Sequence, residues 1–245
     1  MIDATTVYVL IVIFLATLIR STLGFGEALV AVPLLALRIP VLVAAPLAVM
    51  VSVTVAAVVL AQDWSSVHIR SVAWLVPASL FGIPFGLLLL LKIDNKYVKV
   101  ILGFIIAWFA IYLLTAKSLG HLKTDHRRWL LGVGFLAGVL GGAYGINGPP
   151  LVVYAALRRW SPQHLRATFQ GYFLPVSLAV LIAYAAMGLW AAPVTRYFIF
   201  SLPGMFIAIV IGRHLNRRLR GELFYRCVYL GLIFTGGMLI LQGLK

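Results

Sequence analysis

The most constraining feature of this sequence is the glycine- and proline-rich stretch Leu140–Leu151, which lies inside the apolar run Trp129–Leu157. The run is long enough to enter a lipid bilayer, but an ordinary helix cannot continue through its middle. Each glycine lowers helix propensity by about 1 kcal/mol relative to alanine, and Pro149 and Pro150 lack amide donors. Non-helical backbone survives at membrane depth only where protein or water covers it. The stretch therefore predicts a broken helix with polar backbone at the break.

The composition predicts an all-α polytopic membrane protein. Of the 245 residues, 63% are hydrophobic and 11% are charged, and the mean hydropathy is +1.06. The net charge of +14 does not indicate a nucleic-acid partner, because the basic residues lie between apolar runs, where lipid headgroups and the positive-inside rule account for them. The N-terminus has no basic segment or clear cleavage site, so we expect a retained membrane segment there.

Eight apolar runs follow one another along the chain. They cover roughly Thr5–Leu37, Val41–Ala61, Ser71–Leu91, Tyr97–Ala116, Trp129–Leu157, Ala167–Leu189, Val194–Leu215 and Leu223–Leu244. The first run would be about 50 Å long as a helix, against about 30 Å of hydrocarbon, and the fifth is also overlong. Each of these two runs must tilt, break or double back, which gives eight to ten helical pieces. The break in the first run is expected within Arg20–Glu27.

The two halves of the chain repeat each other. Leu23-Gly24 and Pro33-Leu34 match Leu140-Gly141 and Pro150-Leu151, and Val51-Ser52 matches Val176-Ser177. The common order of these matches predicts a duplication, with a first repeat over residues 1–116, a basic linker over 117–128 and a second repeat over 129–245. If the overlong runs are hairpins the repeats are inverted, and otherwise they are parallel. The sequence leaves both arrangements open, together with the side of the termini.

Glu27 is the most informative single residue, because an ionisable group near the centre of a membrane helix costs about 2.5–3.5 kcal/mol on insertion scales. We expect it to face the protein interior or a cavity, where a carboxylate can bind and release a proton. The alternatives are a hydrated position near the interface or a structural ion pair with Arg20. Arg20 itself is either a forked donor to an anion or a helix-end residue that reaches the headgroups.

The second break offers donors to an anion. Gly145, Asn147 and Gly148 can form a cradle, because amides at the start of a half-helix present positive dipole ends and glycines permit close approach. Close helix packing by small residues is the alternative. Tyr144 either lines the same break or is a buried aromatic residue with a bonded hydroxyl group.

Polar side chains near the start of the sixth run can face the same cavity. Thr168 and Gln170 lie just after a basic loop, although hydrogen bonding between helices is the favoured explanation for each of them taken alone. Ser52 and Ser177 occupy matching places in the repeat, but serines are too common in helices to be assigned a role. The histidines show no metal-ligand spacing with nearby acids and Cys227 is the single cysteine, so neither a metal nor another cofactor is predicted.

The glycine-rich breaks resemble those of the TauE/SafE family of sulfite and organosulfonate exporters. The motifs that carry the resemblance are Gly24–Gly26 with Pro33–Leu35, and Gly141–Leu151. The resemblance covers nearly the whole chain and implies a multi-pass carrier of the bacterial inner membrane for small sulfur anions. Glu27 departs from the first motif, where the family generally has glycine or an apolar residue, and this departure points to a proton-linked or otherwise specialised member.

We therefore predict a secondary transporter, not an enzyme, that exports anions such as sulfite, sulfoacetate or other organosulfonates. The anion is expected where the two breaks meet near the midplane. The predicted substrate-binding residues are Arg20, Gly24, Gly26, Tyr144, Gly145, Asn147, Gly148 and Gln170, and the predicted proton-coupling residue is Glu27. The alternative is a membrane-embedded enzyme acting on lipid-linked phosphates through Arg20, Ser21 and Glu27. The identity of the anion, the direction of transport, the coupling ion and the oligomeric state, a dimer included, stay open.

Overall fold

The computed structural model describes residues 3–63, 69–115, 127–158, 162–218 and 222–244. This part of the chain is entirely helical, which confirms the predicted fold class. The helices are α1 (Ala4–Leu23), α2 (Glu27–Ala36), α3 (Val41–Asp63), α4 (Ile69–Lys92), α5 (Asn95–Thr115), α6 (Arg127–Tyr144), α7 (Gly148–Leu157), α8 (Pro162–Ala186), α9 (Ala192–Arg218) and α10 (Glu222–Gly243).

Several of these helices suit a bilayer. Within the described residues, five helical segments are long and apolar enough to cross a membrane, namely Ala4–Thr22, Val41–Ala61, Ser71–Lys92, Thr168–Ala186 and Ala192–Leu215. Large apolar side chains such as Phe81, Phe104 and Ile182 are exposed on the outer surface. A soluble protein rarely exposes so much apolar surface, whereas lipid covers it. The chain is therefore a polytopic helical membrane protein, as predicted.

Both overlong runs are broken, the first at Gly24–Gly26 and the fifth at Gly145–Asn147. Gly24 and Gly145 follow α1 and α6 with φ values of 85° and 70°, a left-handed conformation that glycine adopts without steric cost. The amide of Gly24 donates to Arg20 O (2.6 Å) and that of Gly145 donates to Gly141 O (2.8 Å). These bonds end each helix with satisfied carbonyl groups.

The second break is shorter than the sequence indicated. Gly141 and Gly142 remain helical within α6, and Pro149 and Pro150 lie in the first turn of α7. First-turn amides have no partner inside a helix, so a proline there loses no hydrogen bond. The two prolines therefore begin α7 instead of interrupting a helix.

The first run folds into a hairpin. The hydroxyl of Tyr8 on α1 donates to Leu34 O on α2 (2.7 Å), and the guanidinium of Arg38 lies over the Tyr8 ring at 5.6 Å. If α2 continued in the direction of α1, residues 26 positions apart would be separated by about 39 Å. The contacts show instead that α2 runs back along α1. The following helix, α3, therefore starts on the face where α1 begins.

The last helices of the two halves, α5 and α10, pack antiparallel. A Cβ added to Gly103 would touch Gly236 O, and one added to Gly243, further along α10, would touch Lys96 O, earlier on α5. Equivalent helices run antiparallel only when the repeats are inverted, because parallel repeats give them the same direction. Together with the hairpin of α1 and α2, this contact favours the inverted arrangement for the predicted repeats. The repeat limits 1–116 and 129–245 stay a prediction.

Candidate functional site

A buried ion pair lies at the first break. Arg20 is on the last turn of α1 and Glu27 is the first residue of α2, and Arg20 Nη1 donates to Glu27 Oε2 at 2.5 Å. The two side chains are only 3% and 1% exposed. A charge at such burial is stable only when it is paired and hydrogen-bonded. Neither side chain therefore reaches the membrane surface, which was one alternative for each of them.

Further polar and aromatic groups hold the Arg20 guanidinium. Nη1 also donates to Ser52 Oγ (2.6 Å), Nη2 donates to Gln170 Oε1 (3.1 Å), and the guanidinium carbon lies 5.1 Å from the centre of the Phe173 ring. The amide nitrogen of Gln170 donates in turn to Gly24 O (2.8 Å). The guanidinium is thus fixed by α3 and α8, and Gln170 ties it to the backbone of the break.

The ion pair lies beside the middle of α3, where the two halves of the chain meet. Ser52 is the middle residue of α3 (Val41–Asp63), and a helix of this length spans about 35 Å, close to the thickness of the hydrocarbon. Its hydroxyl oxygen is 3.4 Å from that of Ser177 on α8. These two serines match each other in the predicted repeat.

A small buried cavity joins the two breaks beside Arg20. Its volume is about 20 Å³, enough for about one water molecule. The first break contributes Phe25 and Gly26–Leu29, and the second contributes Ile146–Pro149. Ser52 and the rings of Phe109 and Phe173 complete the wall. The two interruptions that the sequence placed far apart along the chain therefore meet at one cavity.

Two helix N-termini face this cavity. Gly26 precedes α2 with a φ of 94°, and no side chain caps this end of the helix, so the first-turn amides of α2 point towards the cavity without a helical partner. At the start of α7, the prolines carry no amide hydrogen, and the remaining donors are the backbone of Gly148 and the buried side chain of Asn147. The positive ends of two helix dipoles thus converge with a guanidinium, which is an arrangement suited to an anion.

The cavity unites some of the predicted site residues and not others. Those that line it are Arg20, Gly26, Glu27, Asn147 and Gly148, and those that do not are Gly24, Tyr144, Gly145 and Gln170. The two glycines of the second group end helices, and Gln170 orients Arg20. Tyr144 is buried and its hydroxyl has no hydrogen-bond partner. Sequence reasoning missed the aromatic wall, although the spacing of Phe169 and Phe173 on one face of α8, beside Gln170, was a usable signal.

A larger groove between α4 and α8 does not compete as the functional site. It has a volume of about 500 Å³ and is lined only by apolar side chains, such as Leu87, Ala183 and Met187. An anion would find no donor there, whereas aliphatic lipid chains fit such a lining.

The second break is held by Tyr184 of α8. Its hydroxyl donates to Gly142 O (2.9 Å) and lies 3.3 Å from Gly141 O, in the last turn of α6. Gly141 O also accepts from the Gly145 amide (2.8 Å), so the main effect of Tyr184 is to supply a donor to Gly142 O. Since α8 also supplies Gln170 to the first break, one helix stabilises both interruptions.

Replacement of Tyr184 by phenylalanine is expected to lower the free energy of unfolding by about 1 kcal/mol, because the buried hydrogen bond to Gly142 O is lost. Thermal unfolding of the purified protein in detergent measures this loss. The matched control is Tyr97→Phe, since Tyr97 is 67% exposed. Equal melting temperatures for the two variants would contradict a capping role for Tyr184.

Comparison with known protein families places the chain. The sequence model of the family described as Sulfite exporter TauE/SafE matches residues 9–239. Comparison with curated proteins and with solved structures gives no match. The family match covers nearly the whole chain, including both breaks and every residue that lines the cavity. The chain therefore belongs to the sulfite exporter TauE/SafE family, a family of membrane transporters.

Proposed function

We propose that this protein is a secondary transporter that exports small sulfur oxyanions, such as sulfite, sulfoacetate or other organosulfonates, across the bacterial inner membrane, with proton coupling through Glu27. The observation that carries the proposal is the convergence of two half-helix N-termini and the Arg20 guanidinium on one buried cavity. Discontinuous helices of this kind form the substrate sites of many inverted-repeat transporters.

The donors around the cavity suit a sulfonate group. Its three oxygens can accept from the first-turn amides of α2, from the backbone of Gly148 and from the carboxamide of Asn147, while Arg20 balances the charge. The rings of Phe25 and Phe173 offer apolar surface to the organic part of the molecule. Because the cavity has room for only about one water, an anion enters only when the breaks move apart.

The inverted arrangement also supports a membrane orientation. The start of α6 and the ends of α7 and α9 share one face in the inverted arrangement. The sequence at and between these ends, residues 117–128, 158–166 and 213–226, contains 12 of the 20 lysines and arginines. The positive-inside rule assigns this face to the cytoplasm, so both described chain ends lie outside.

The alternative of a lipid-phosphate enzyme needed Ser21 beside Glu27, but Ser21 does not line the cavity.

Proteoliposomes test the proposed function. We expect saturable flux of at least one member of a panel containing sulfite, methanesulfonate, sulfoacetate and acetate. Replacement of Asn147 by alanine is expected to weaken the apparent affinity roughly 10- to 100-fold, because a hydrogen bond to a charged group is lost.

The matched control for Asn147→Ala is Ser201→Ala, since the Ser201 hydroxyl bonds only within its own helix, to Tyr197 O. Its apparent affinity should equal that of the native protein. No flux of any anion in the panel would contradict the transport proposal, and an unchanged affinity of the Asn147 variant would remove this residue from the site.

A further inference from the structure

We infer that the transported anion and the Glu27 carboxylate are mutually exclusive partners of Arg20 Nη1, so that each monoanion crosses the membrane with one proton and without net charge. This inference rests on the proposed function and adds a fixed stoichiometry to it. It follows from three features of one cavity: its charges, the hydrogen bonds that Arg20 already makes there, and its small volume.

The charges at the cavity are balanced before any substrate arrives. Arg20 and Glu27 form one buried pair, and they are the charged side chains among the described residues that line the cavity. An added monoanion would leave a net negative charge in a site of low dielectric. At about 4 Å and an effective dielectric constant of 20, repulsion between two anions weakens binding roughly 10³-fold. A proton on Glu27 removes this repulsion.

The donors of Arg20 lead to the same conclusion. Nη1 is engaged by Glu27 Oε2 and Ser52 Oγ, and Nη2 is engaged by Gln170. Both N–H groups of Nη1 are in use, whereas Nε has no hydrogen-bond partner. An anion that binds at Nη1 must therefore take the place of Glu27 or Ser52. Glu27 is the partner whose removal leaves the site electrically balanced, because it is the one that carries a charge.

The second carboxylate oxygen of Glu27 is placed to receive the proton. Oε1 is buried and has no hydrogen-bond partner, and Glu27 lines a cavity with room for about one water. That water can deliver a proton to Oε1. The neutral acid then holds Arg20 less strongly, and Nη1 becomes available to the anion.

Few other groups near α2 can titrate. The titratable or charged side chains on the described parts of α1 and α5, which pack against α2, are Tyr8, Arg20, Lys96, Tyr97, Lys99 and Tyr112. The described side chains of α3 and α10 include none. The lysines lie in the first turns of α5, where Lys99 bonds to Gln242, and phenols are neutral at physiological pH. Arg20 is therefore the charged group to which Glu27 responds.

One proton for each monoanion makes transport electroneutral. The membrane potential then does no work on the cycle, and the direction follows the sum of the anion and proton gradients. Export proceeds whenever the outward anion gradient exceeds the inward proton gradient.

Calorimetry on the purified full chain tests the stoichiometry. The probe is methanesulfonate, which is a monoanion at every pH used, so any proton taken up belongs to the protein. Titrations in buffers of different ionisation enthalpy are expected to show uptake of one proton per anion where Glu27 is ionised in the empty protein. There the dissociation constant should rise tenfold per pH unit.

The variant Glu27→Gln is expected to bind methanesulfonate without proton uptake and with a dissociation constant that does not change with pH. The matched control is Asp94→Asn, because Asp94 is exposed between α4 and α5, and it should take up one proton like the native protein. If Glu27→Gln does not fold, the titrations of the native protein decide the question, since they need no variant.

The outcomes separate this inference from the proposed function. Binding without proton uptake, or flux in proteoliposomes that follows a potassium-clamped membrane potential and ignores a pH gradient, overturns the inference and leaves transport intact. Proton uptake that persists in Glu27→Gln overturns the role of this residue. If the native protein neither binds nor moves any anion of the panel, the proposed function falls and the inference falls with it.

Discussion

Replacement of Arg20 by leucine is expected to lower the free energy of unfolding by about 3–5 kcal/mol and to abolish anion binding. The change leaves the Glu27 carboxylate buried without a counter-charge and takes the donor away from Ser52 and Gln170. Both effects come from one side chain that is 3% exposed, so water cannot replace the missing partner. Equilibrium unfolding in detergent measures the stability, and calorimetry with methanesulfonate measures the binding.

The double variant Arg20→Leu/Glu27→Leu is the matched control. It removes both charges together, and an apolar pair in place of a buried ion pair is often neutral or stabilising by about 1–4 kcal/mol. We expect it to recover most of the stability lost by the single variant while binding stays absent. If the single variant loses less than about 1 kcal/mol of unfolding free energy, the ion pair behaves like a solvated surface pair. That result would contradict the burial of Arg20 and Glu27.

The breaks could be predicted from the sequence because their cause is local. Glycine and proline change the backbone energy of a helix wherever they stand, so Gly24–Gly26 and Gly145–Asn147 fall inside the predicted stretches. The hairpin of α1 and α2 was not predictable in this way. It depends on a contact between Tyr8 and Leu34. The sequence between these residues does not determine in which direction the chain leaves the break.

The role of individual glycines was harder to predict than the presence of a break. Gly142 was attributed to the interruption, but it lies inside α6, where a Cβ would come within 2.4 Å of Ile83 O on α4. The same residue type thus serves helix ends and close helix packing, and only the neighbouring helix distinguishes the two. The sequence matches at the breaks pair Gly24 with Gly141, at an offset of 117 positions. In the structure the glycine that follows α6 is Gly145, which is 121 positions after Gly24, so the sequence match pairs Gly24 with a glycine that is still helical.

The candidate site was predictable where burial of a charge makes a residue conspicuous. Glu27 and Arg20 are rare residue types inside apolar runs, so their pairing was among the alternatives that the sequence offered. Phe109 lines the cavity from α5, and this role was not predictable. The sequence of an apolar helix does not distinguish an aromatic residue that lines a cavity from one that faces lipid. Its position follows from the packing of α5 near α2, which is a property of the assembled fold.

Replacement of Gly138 by alanine is expected to lower the free energy of unfolding by about 1–3 kcal/mol through overpacking between α4 and α6. An added Cβ would lie 2.1 Å from Ser79 O and 2.7 Å from Ser79 Cα, and backbone atoms cannot rotate away as a flexible side chain can. The helices must separate, which stretches the bond from Ser79 Oγ to Gly134 O (2.8 Å). Equilibrium unfolding in detergent measures the loss.

Gly132→Ala is the matched control on the same helix. No atom lies within 4 Å of a Cβ at this position, so alanine adds only its better helix propensity, worth about 1 kcal/mol. Gly134, Gly138 and Gly142 are spaced by four residues along α6, as in helix pairs whose backbones approach closely in membranes. Similar stabilities for the two variants would mean that α4 and α6 do not touch through their backbones. Because α4 belongs to the first half and α6 to the second, that result would also remove a main contact that holds the inverted halves together.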